Sequence, residues 1–263
     1  MISKELKTLI DFAIGDGHIA NYMYSSGKRN GKGSFHYKIE QSIKQKDYFL
    51  HKKEKLESLG FTGKMRENKK VLKGKEYTTI SFELHVNDYI KTAAKWIINK
   101  KRKAIDKHLL SVLDAESLAY WYMDDGSANK SCKSSSSPGN GFRYYYTYPV
   151  PKLSQIRLYT YAFTLEENTL IVEWLKNRFD LEFNIINGTR DGPYLKTSAL
   201  EQRKKFIDVV KPYIIPSMTY KIDGVLSYNG ISPITVYRKR LSEETPTDNA
   251  EEDAIVQGQA EPA

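Results

Sequence analysis

Leu9-Ile10-Asp11-Phe12-Ala13-Ile14-Gly15-Asp16-Gly17 and Leu118-Ala119-Tyr120-Trp121-Tyr122-Met123-Asp124-Asp125-Gly126 are the two stretches on which the fold turns. Each reads as an apolar helix whose last turn carries an aspartate followed at once by glycine. A carboxylate there faces the partial negative charge of the helix C-terminus and is disfavoured. If two such helices pack side by side, their carboxylates also repel each other. Divalent cations reverse both penalties, because oxygen-rich clusters are what Mg²⁺ prefers. A single Asp-Gly is an ordinary helix-stop turn. Two copies, each opening a similar half of the chain, call for a shared reason, and Asp16 and Asp125 are the candidate metal-binding carboxylates.

The segments that follow each motif repeat in order. From residue 5 to 15 Leu6, Leu9, Ile10, Ala13 and Ile14 recur at helical spacing. Strand-like segments 18–24 and 35–43 follow, then an amphipathic helix 47–59 stopped by Gly60, strands 64–72 and 76–85, and a helix 87–98. The first half therefore reads αββαββα. The second begins with the helix 115–124 and carries a Ser/Gly/Pro-rich insert within 127–150. It continues with a strand 154–162, a helix 165–179 opened by the Thr164/Glu167 capping box, short strands 182–186 and 193–196, and a helix 198–211. The basic stretch 100–108 lacks Pro and Gly and reads as a short connection. The expectation is an α+β chain of two pseudo-twofold halves, 1–108 and 109–230, followed by an acidic, disordered tail, 231–263.

Near the end of each half a lysine precedes an apolar-Asp step: Lys103 in RKAID and Lys221 in YKIDG. They follow Asp16 and Asp125 by 87 and 96 positions, the near-match expected of a duplicated unit with a small insertion. A lysine beside a metal-bound phosphate can stabilise developing charge or orient an attacking water, and two metals near one phosphate can activate the water and stabilise the leaving oxygen.

Charge points to the same class of partner. The 263-residue chain holds 41 Lys and Arg against 32 Asp and Glu. Seven of those acids and none of the bases lie in 241–263, leaving residues 1–240 at a net +16. A body that basic fits a polyanion. On the strand from Phe35, His36, Lys38, Glu40 and Ser42 share one face and Phe35, Tyr37, Ile39 and Ile43 the other; Lys64, Arg66, Asn68 and Lys70 lie together, as do Gln155, Arg157, Tyr159 and Tyr161. Such side chains can read base edges from a two-stranded ribbon. The candidate DNA-binding set is His36, Lys38, Lys64, Arg66, Lys70, Arg157, Tyr159 and Tyr161. The loops Lys28–Lys32 and Lys130–Lys133 would meet phosphates. Tyr144-Tyr145-Tyr146 suits either base stacking or packing of the insert.

Other classes are poorly supported. No apolar run reaches the roughly 18 residues of a membrane helix. The lone Cys132 excludes an internal disulfide and fits a reducing compartment. The five histidines lack zinc spacing, and Walker A and GxSxG patterns are absent.

LIDFAIGDG and LAYWYMDDG resemble the signature helices of the LAGLIDADG homing endonucleases, and SLAYWYMDDGS and PYIIPSMTYKI are similar to the single-chain intron-encoded branch. The resemblance covers about residues 5–225. It implies motif helices packed at the centre of an αββαββα pseudo-dimer, with antiparallel sheets forming a DNA-binding saddle. It further implies metal at Asp16 and Asp125, the main-chain carbonyls of Gly15 and Asp124 as further ligands, and Lys103 and Lys221 around the paired sites. The activity implied is Mg²⁺-dependent (Mn²⁺ substituting) double-strand cleavage across the minor groove of a long asymmetric DNA site by a monomer, leaving short 3′ overhangs. The expected setting is cytoplasmic or another reducing, DNA-containing compartment of a phage, bacterial or organellar host. With Met1 opening the chain and no splicing junction in sight, a free-standing or intron-encoded protein is expected rather than an intein insert. Alternatives are an RNA maturase acting on intron RNA and a cleavage-inactive DNA-binding regulator. The family favours small residues at the third motif position, where Asp11 and Tyr120 stand here. The helix crossing is therefore expected to rest on Ala13, Gly15 and Ala119.

Overall fold

The computed structural model describes residues 2–23, 33–72, 74–99, 102–136, 142–187, 192–222 and 235–240. The loop 28–32 lies outside them, and so does the expected tail 231–263 except for 235–240, which form a strand. Compact packing divides the chain into two units: residues 1–128 with 155–223, and residues 129–154 with 224–263.

In the first unit, helix α1 (Lys4–Ile14) starts at Ser3, whose hydroxyl accepts the Leu6 N–H, and buries Leu6, Leu9, Ile10, Phe12, Ala13 and Ile14. At roughly 1.5–3 kcal/mol for each large apolar side chain, this face is a principal source of stability. Strands β1 (His18–Met23), β2 (Gly33–Ser42), β3 (Gly63–Leu72) and β4 (Lys75–Leu84) form an antiparallel sheet in the order β1-β2-β4-β3. The register sets Lys38 opposite His18 and Glu83, and Lys64 opposite Glu83. Helices α2 (Lys46–Ser58) and α3 (Asp88–Ile97) pack against β2, and Tyr37, Ile39, Ile80 and Phe82 are buried. The opposite face keeps His36, Lys38, Lys64, Arg66 and Lys70 partly or fully exposed, as the alternation requires.

The connection after α3 is more structured than its composition suggests. Strands β5 (Ile98–Asn99) and β6 (Arg102–Lys103) pair antiparallel, and helix α4 (Lys107–Val112) follows, capped by Asp106. Helix α5 (Ala115–Asp125) carries the second motif and is opened by an Asp114/Ser117 capping box. Strands β7 (Gly126–Ser136) and β8 (Phe142–Leu158) come next, then helix α6 (Leu165–Phe179), strands β9 (Asn184–Ile186) and β10 (Tyr194–Thr197), and helix α7 (Leu200–Val210). The order αββαββα thus occurs twice, from α1 to α3 and from α5 to α7. Within this unit β10 pairs with β9 and with Ile156–Leu158 at the end of β8. The expected strand 154–162 stops at Leu158, so Tyr159 and Tyr161 follow the strand instead of lying within it. Burial still alternates through Ile156, Leu158 and Thr160, while Ala162 is exposed. In the second unit, β8 pairs over Phe142–Thr147 with β11 (Thr235–Arg240), which places Tyr144–Tyr146 in a ladder.

Helices α1 and α5 pack directly on each other. Ala13 and Ala119 are fully buried, and Tyr120 sets its ring edge-on to Phe12 at 4.8 Å. Asp11 is not an intruder in this seam. Ser117 Oγ donates to it at 2.6 Å and Lys7 Nζ at 2.8 Å, and the same lysine reaches Asp114 at 3.0 Å. Burial nevertheless outweighs the lysine and pushes the Asp11 carboxyl up from 3.8 to about 6. A folded state that holds this proton more tightly than the unfolded chain loses stability as pH rises from about 4 through about 6. The displacement corresponds to about 3 kcal/mol. Urea unfolding between pH 4 and 7 should show wild type losing about that much more stability than Asp11→Asn, in which the raised Asp16 and Asp125 remain; parallel curves would contradict it.

Candidate active site

The first motif ends where α1 ends. Gly15 caps the helix and Asp16 follows, open to solvent. The second motif keeps Asp125 as the last residue of α5. The two ends approach so closely that a Cβ on Gly15 would lie 2.4 Å from Asp124 Oδ2. Only glycine fits there. Gly126 is constrained in the same way, since a Cβ would meet the Tyr122 ring at 2.0 Å.

Three carboxylates share this junction. Burial, and then the charges of Asp16 and Asp124, push Asp125 up to about 7 against the pull of Lys103 and Lys221. Asp16 is also raised, first by the surrounding protein and then by Asp124, with Lys52 opposing. Both anticipated lysines arrive. Lys103, in β6, donates to the Gly15 carbonyl at 2.5 Å. Lys221 ends the 3-10 turn Pro216–Lys221 and donates to the carbonyls of Tyr122, Met123, Asp124 and Gly126 at 3.3, 2.5, 3.2 and 2.9 Å. Each ammonium therefore caps the C-terminal end of its own motif helix, where positive charge is favoured. Burial lowers the pKa of both lysines, while the nearby aspartates oppose the shift.

The Gly15 and Asp124 carbonyls, expected as metal ligands, thus accept from lysines; each carbonyl oxygen has a second lone pair. Among the described residues no three His, Cys, Asp or Glu side chains form a metal-holding group. The protein's own donors are two accessible carboxylates and main-chain oxygens. That hard, incomplete oxygen set fits Mg²⁺, which keeps several waters and takes phosphate oxygens as further ligands. The raised carboxyls of Asp16 and Asp125, each pushed up by burial and by the Asp124 charge, are the electrostatic strain that a bound cation would relieve.

Two site residues were not anticipated. Lys52 of α2 is fully buried, and its Nζ lies 2.5 Å from Asp124 Oδ1 with both side chains almost wholly enclosed. Gln41, on the buried face of β2, donates to Asp16 Oδ2 and to Asp124 Oδ1, each at 3.1 Å. Both were detectable as anomalies. Lys52 sits in the buried stripe Tyr48, Phe49, Lys52, Leu56, and Gln41 falls on the strand face of Tyr37 and Ile39.

The DNA-binding candidates fall into two groups. On the first sheet, His36 and Arg66 both pair with Glu83, at 3.0 and 3.4 Å, and Lys38 pairs with Glu40. Lys64 and Lys70 are exposed on the same face. An open cleft of about 700 Å³ runs from Asp16 to this face, past His18, His36, Lys38 and Gln41. On the second sheet Tyr159, Tyr161 and the unanticipated Tyr194 cluster, with ring centroids 5.3–6.1 Å apart, and the Arg157 guanidinium lies 5.7 Å from the Tyr194 ring centre. Ser127 Oγ donates to the Tyr159 hydroxyl at 3.0 Å. The structure does not describe the side chains of Lys130–Lys133 or Tyr144–Tyr146.

Comparison with known proteins gives one consistent result. The family model for LAGLIDADG DNA endonucleases matches residues 10–204. A probable intron-encoded endonuclease 1 of Wickerhamomyces canadensis is 26% identical over 221 residues, covering 82% of this chain and 82% of that protein. A RecA protein of Mycobacterium shimoidei is 21% identical over 222 residues, 83% of this chain but 46% of its own length. The chain thus spans about half the length of such curated relatives. The homing endonuclease I-WcaI, solved bound to its DNA recognition sequence, superposes with a TM-score of 0.63 at 21% identity, over 84% of this chain and 88% of that one. Among the described residues no helix is long and apolar enough to cross a membrane.

The close helix approach sets a test. Gly15→Ala should lower stability by about 1–3 kcal/mol, the cost of overpacking a tight contact, as a fall in urea midpoint without a change in slope. An unchanged midpoint would show that the helix ends are loosely apposed.

Proposed function

Because the chain belongs to the LAGLIDADG DNA endonuclease family, we propose that it is a monomeric, Mg²⁺-dependent, site-specific endonuclease cutting both strands of a long, asymmetric DNA target. The single observation that carries this reading is the junction of Asp16 and Asp125, each at the end of a motif helix and each electrostatically coupled to Lys103. A bound divalent cation would supply charge neutralisation at the scissile phosphate and a lowered pKa for an attacking water.

The chain's own residues account for the rest. Asp16 and Asp125 would hold the cation, assisted by the Gly15 and Asp124 carbonyls. Lys103 and Lys221 place positive charge beside the phosphates, where negative charge grows during hydrolysis. Water, not a protein nucleophile, attacks each phosphate. Gln41 fixes the Asp16 carboxylate through its 3.1 Å amide contact. His36, Lys38, Lys64, Arg66 and Lys70 on one sheet, and Arg157 on the other with Tyr159 and Tyr161 just past its strand, contact bases and backbone, with His36, Lys38 and Arg66 exchanging their carboxylate partners for DNA. The halves 1–108 and 109–230 each address one side of the target, and the two sites cut across the minor groove.

Asp16→Asn and Asp125→Asn should each abolish double-strand cleavage while largely preserving specific binding, read on a duplex selected from a randomised library. Full cleavage by both single variants would defeat the mechanism. Comparing affinity for that duplex with affinity for structured intron RNA separates nuclease from maturase. The proton held by Asp125 up to about 7 must leave before a cation binds. Mn²⁺ affinity, titrated calorimetrically, should therefore rise from pH 5 to about 7 and then level off. A flat profile would remove Asp125 from the metal site.

A further inference from the structure

The two motifs differ at the residue before their aspartates: glycine at 15, aspartate at 124. The Asp124 side chain is fully enclosed and points across the helix junction into the first half. Its Oδ2 accepts the backbone N–H of Asp16 at 3.1 Å, and its Oδ1 accepts Gln41 Nε2 at 3.1 Å and Lys52 Nζ at 2.5 Å. Gln41 bonds in turn to Asp16 Oδ2 at 3.1 Å. Asp16 is thus held at its backbone and, through Gln41, at its carboxylate, both from one buried oxygen pair. Lys52 anchors that pair from below, packed over the Tyr48 ring at 4.3 Å. Gly15 has no side chain with which to return the contact to Asp125.

We propose that Asp124, anchored by Lys52, is a positioning residue that clamps Asp16 and makes the two cleavage sites unequal. The clamp preorganises the Asp16 site, so the strand cut there depends on it more than the strand cut at Asp125, which meets the Asp124 charge but none of its hydrogen bonds. This goes beyond the assignment of the two motif aspartates and rests on the reading of the chain as a two-site nuclease. A buried carboxylate–ammonium pair is a costly way to fill a helix junction, since apolar side chains of like volume serve stability as well or better. Here the carboxylate offers what an apolar residue cannot, an acceptor for the Asp16 N–H and for Gln41. Residues that orient metal ligands typically affect metal affinity or activity by about 10–100-fold when removed.

The test separates clamp from scaffold. Lys52→Met alone would strand a buried charge and could unfold the protein. The paired variant Lys52→Met/Asp124→Ala removes both charges and the acceptor together. A second pair, Lys52→Met/Asp124→Asn, removes both charges but keeps the acceptor oxygen. Each is assayed with Mg²⁺ on the library-selected duplex labelled on both strands, alongside thermal unfolding and calorimetric titration of Ca²⁺ into the protein–duplex complex. The alanine pair should slow one strand about 10–100-fold relative to the other, accumulate nicked duplex and weaken Ca²⁺ binding at one site. The asparagine pair should return the strand ratio toward that of wild type. Equal slowing of both strands by the alanine pair, or none, overturns the proposal, and so does failure of the asparagine pair to restore the ratio. If wild type itself cuts neither strand, it is the nuclease reading that fails.

Discussion

Negative charge concentrated where two helix ends abut is the constraint around which this molecule is arranged. Asp16, Asp124 and Asp125 meet at the partial negative poles of α1 and α5. The fold answers with ammonium groups from three separate elements: Lys52 from α2, Lys103 from β6, and Lys221 from the turn after α7. Two of these arrive only after a whole half of the chain has been traversed. The tertiary structure and the electrostatics of the site are therefore one problem, solved once. At the other end of the same helix pair, Lys7, Asp11, Asp114 and Ser117 form a second polar lock, so the seam is pinned at both ends and apolar between.

The two candidate DNA-binding surfaces differ in chemistry. The first sheet offers alternating basic side chains and carboxylates, His36 and Arg66 on Glu83 and Lys38 on Glu40. The ion pairs limit the unspecific pull of the face on phosphate and hold its donors in fixed geometry, at the cost of exchanging partners on binding. The tyrosine cluster of the second sheet is amphipathic, suited to thymine methyl groups and sugar edges. Under the proposed function, two such unlike surfaces would suit a target that is not palindromic.

Much of this was legible in the chain. The motif helices, the Thr164/Glu167 capping box and the alternation of β2 follow from local periodicity, which tertiary packing here reinforces. Lys103 and Lys221 were reachable because duplication writes the same feature twice. What escaped depends on contacts between distant segments. Lys52 and Gln41 carry no repeat and no motif; each is only a polar residue on an apolar face until Asp124 is brought against it. The β5–β6 hairpin is two residues per strand, too short to give a period. Tyr194 joins Tyr159 only through the pairing of β10 with β8. For Asp124 the family resemblance points only to the carbonyl; its side chain contacts Asp16, Gln41 and Lys52 of the other half, and nothing in the local sequence says so.

The grip of Lys221 on four carbonyl oxygens at the end of α5 has a bearing on biosynthesis. A ribosome finishes α5 long before it reaches that lysine, so the end of the helix stays unsealed while α6, β9, β10 and α7 emerge. Assembly of the Asp16–Asp125 junction thus awaits nearly the last turn of the first unit, and a chain ending before Lys221 would leave the end of α5 uncapped.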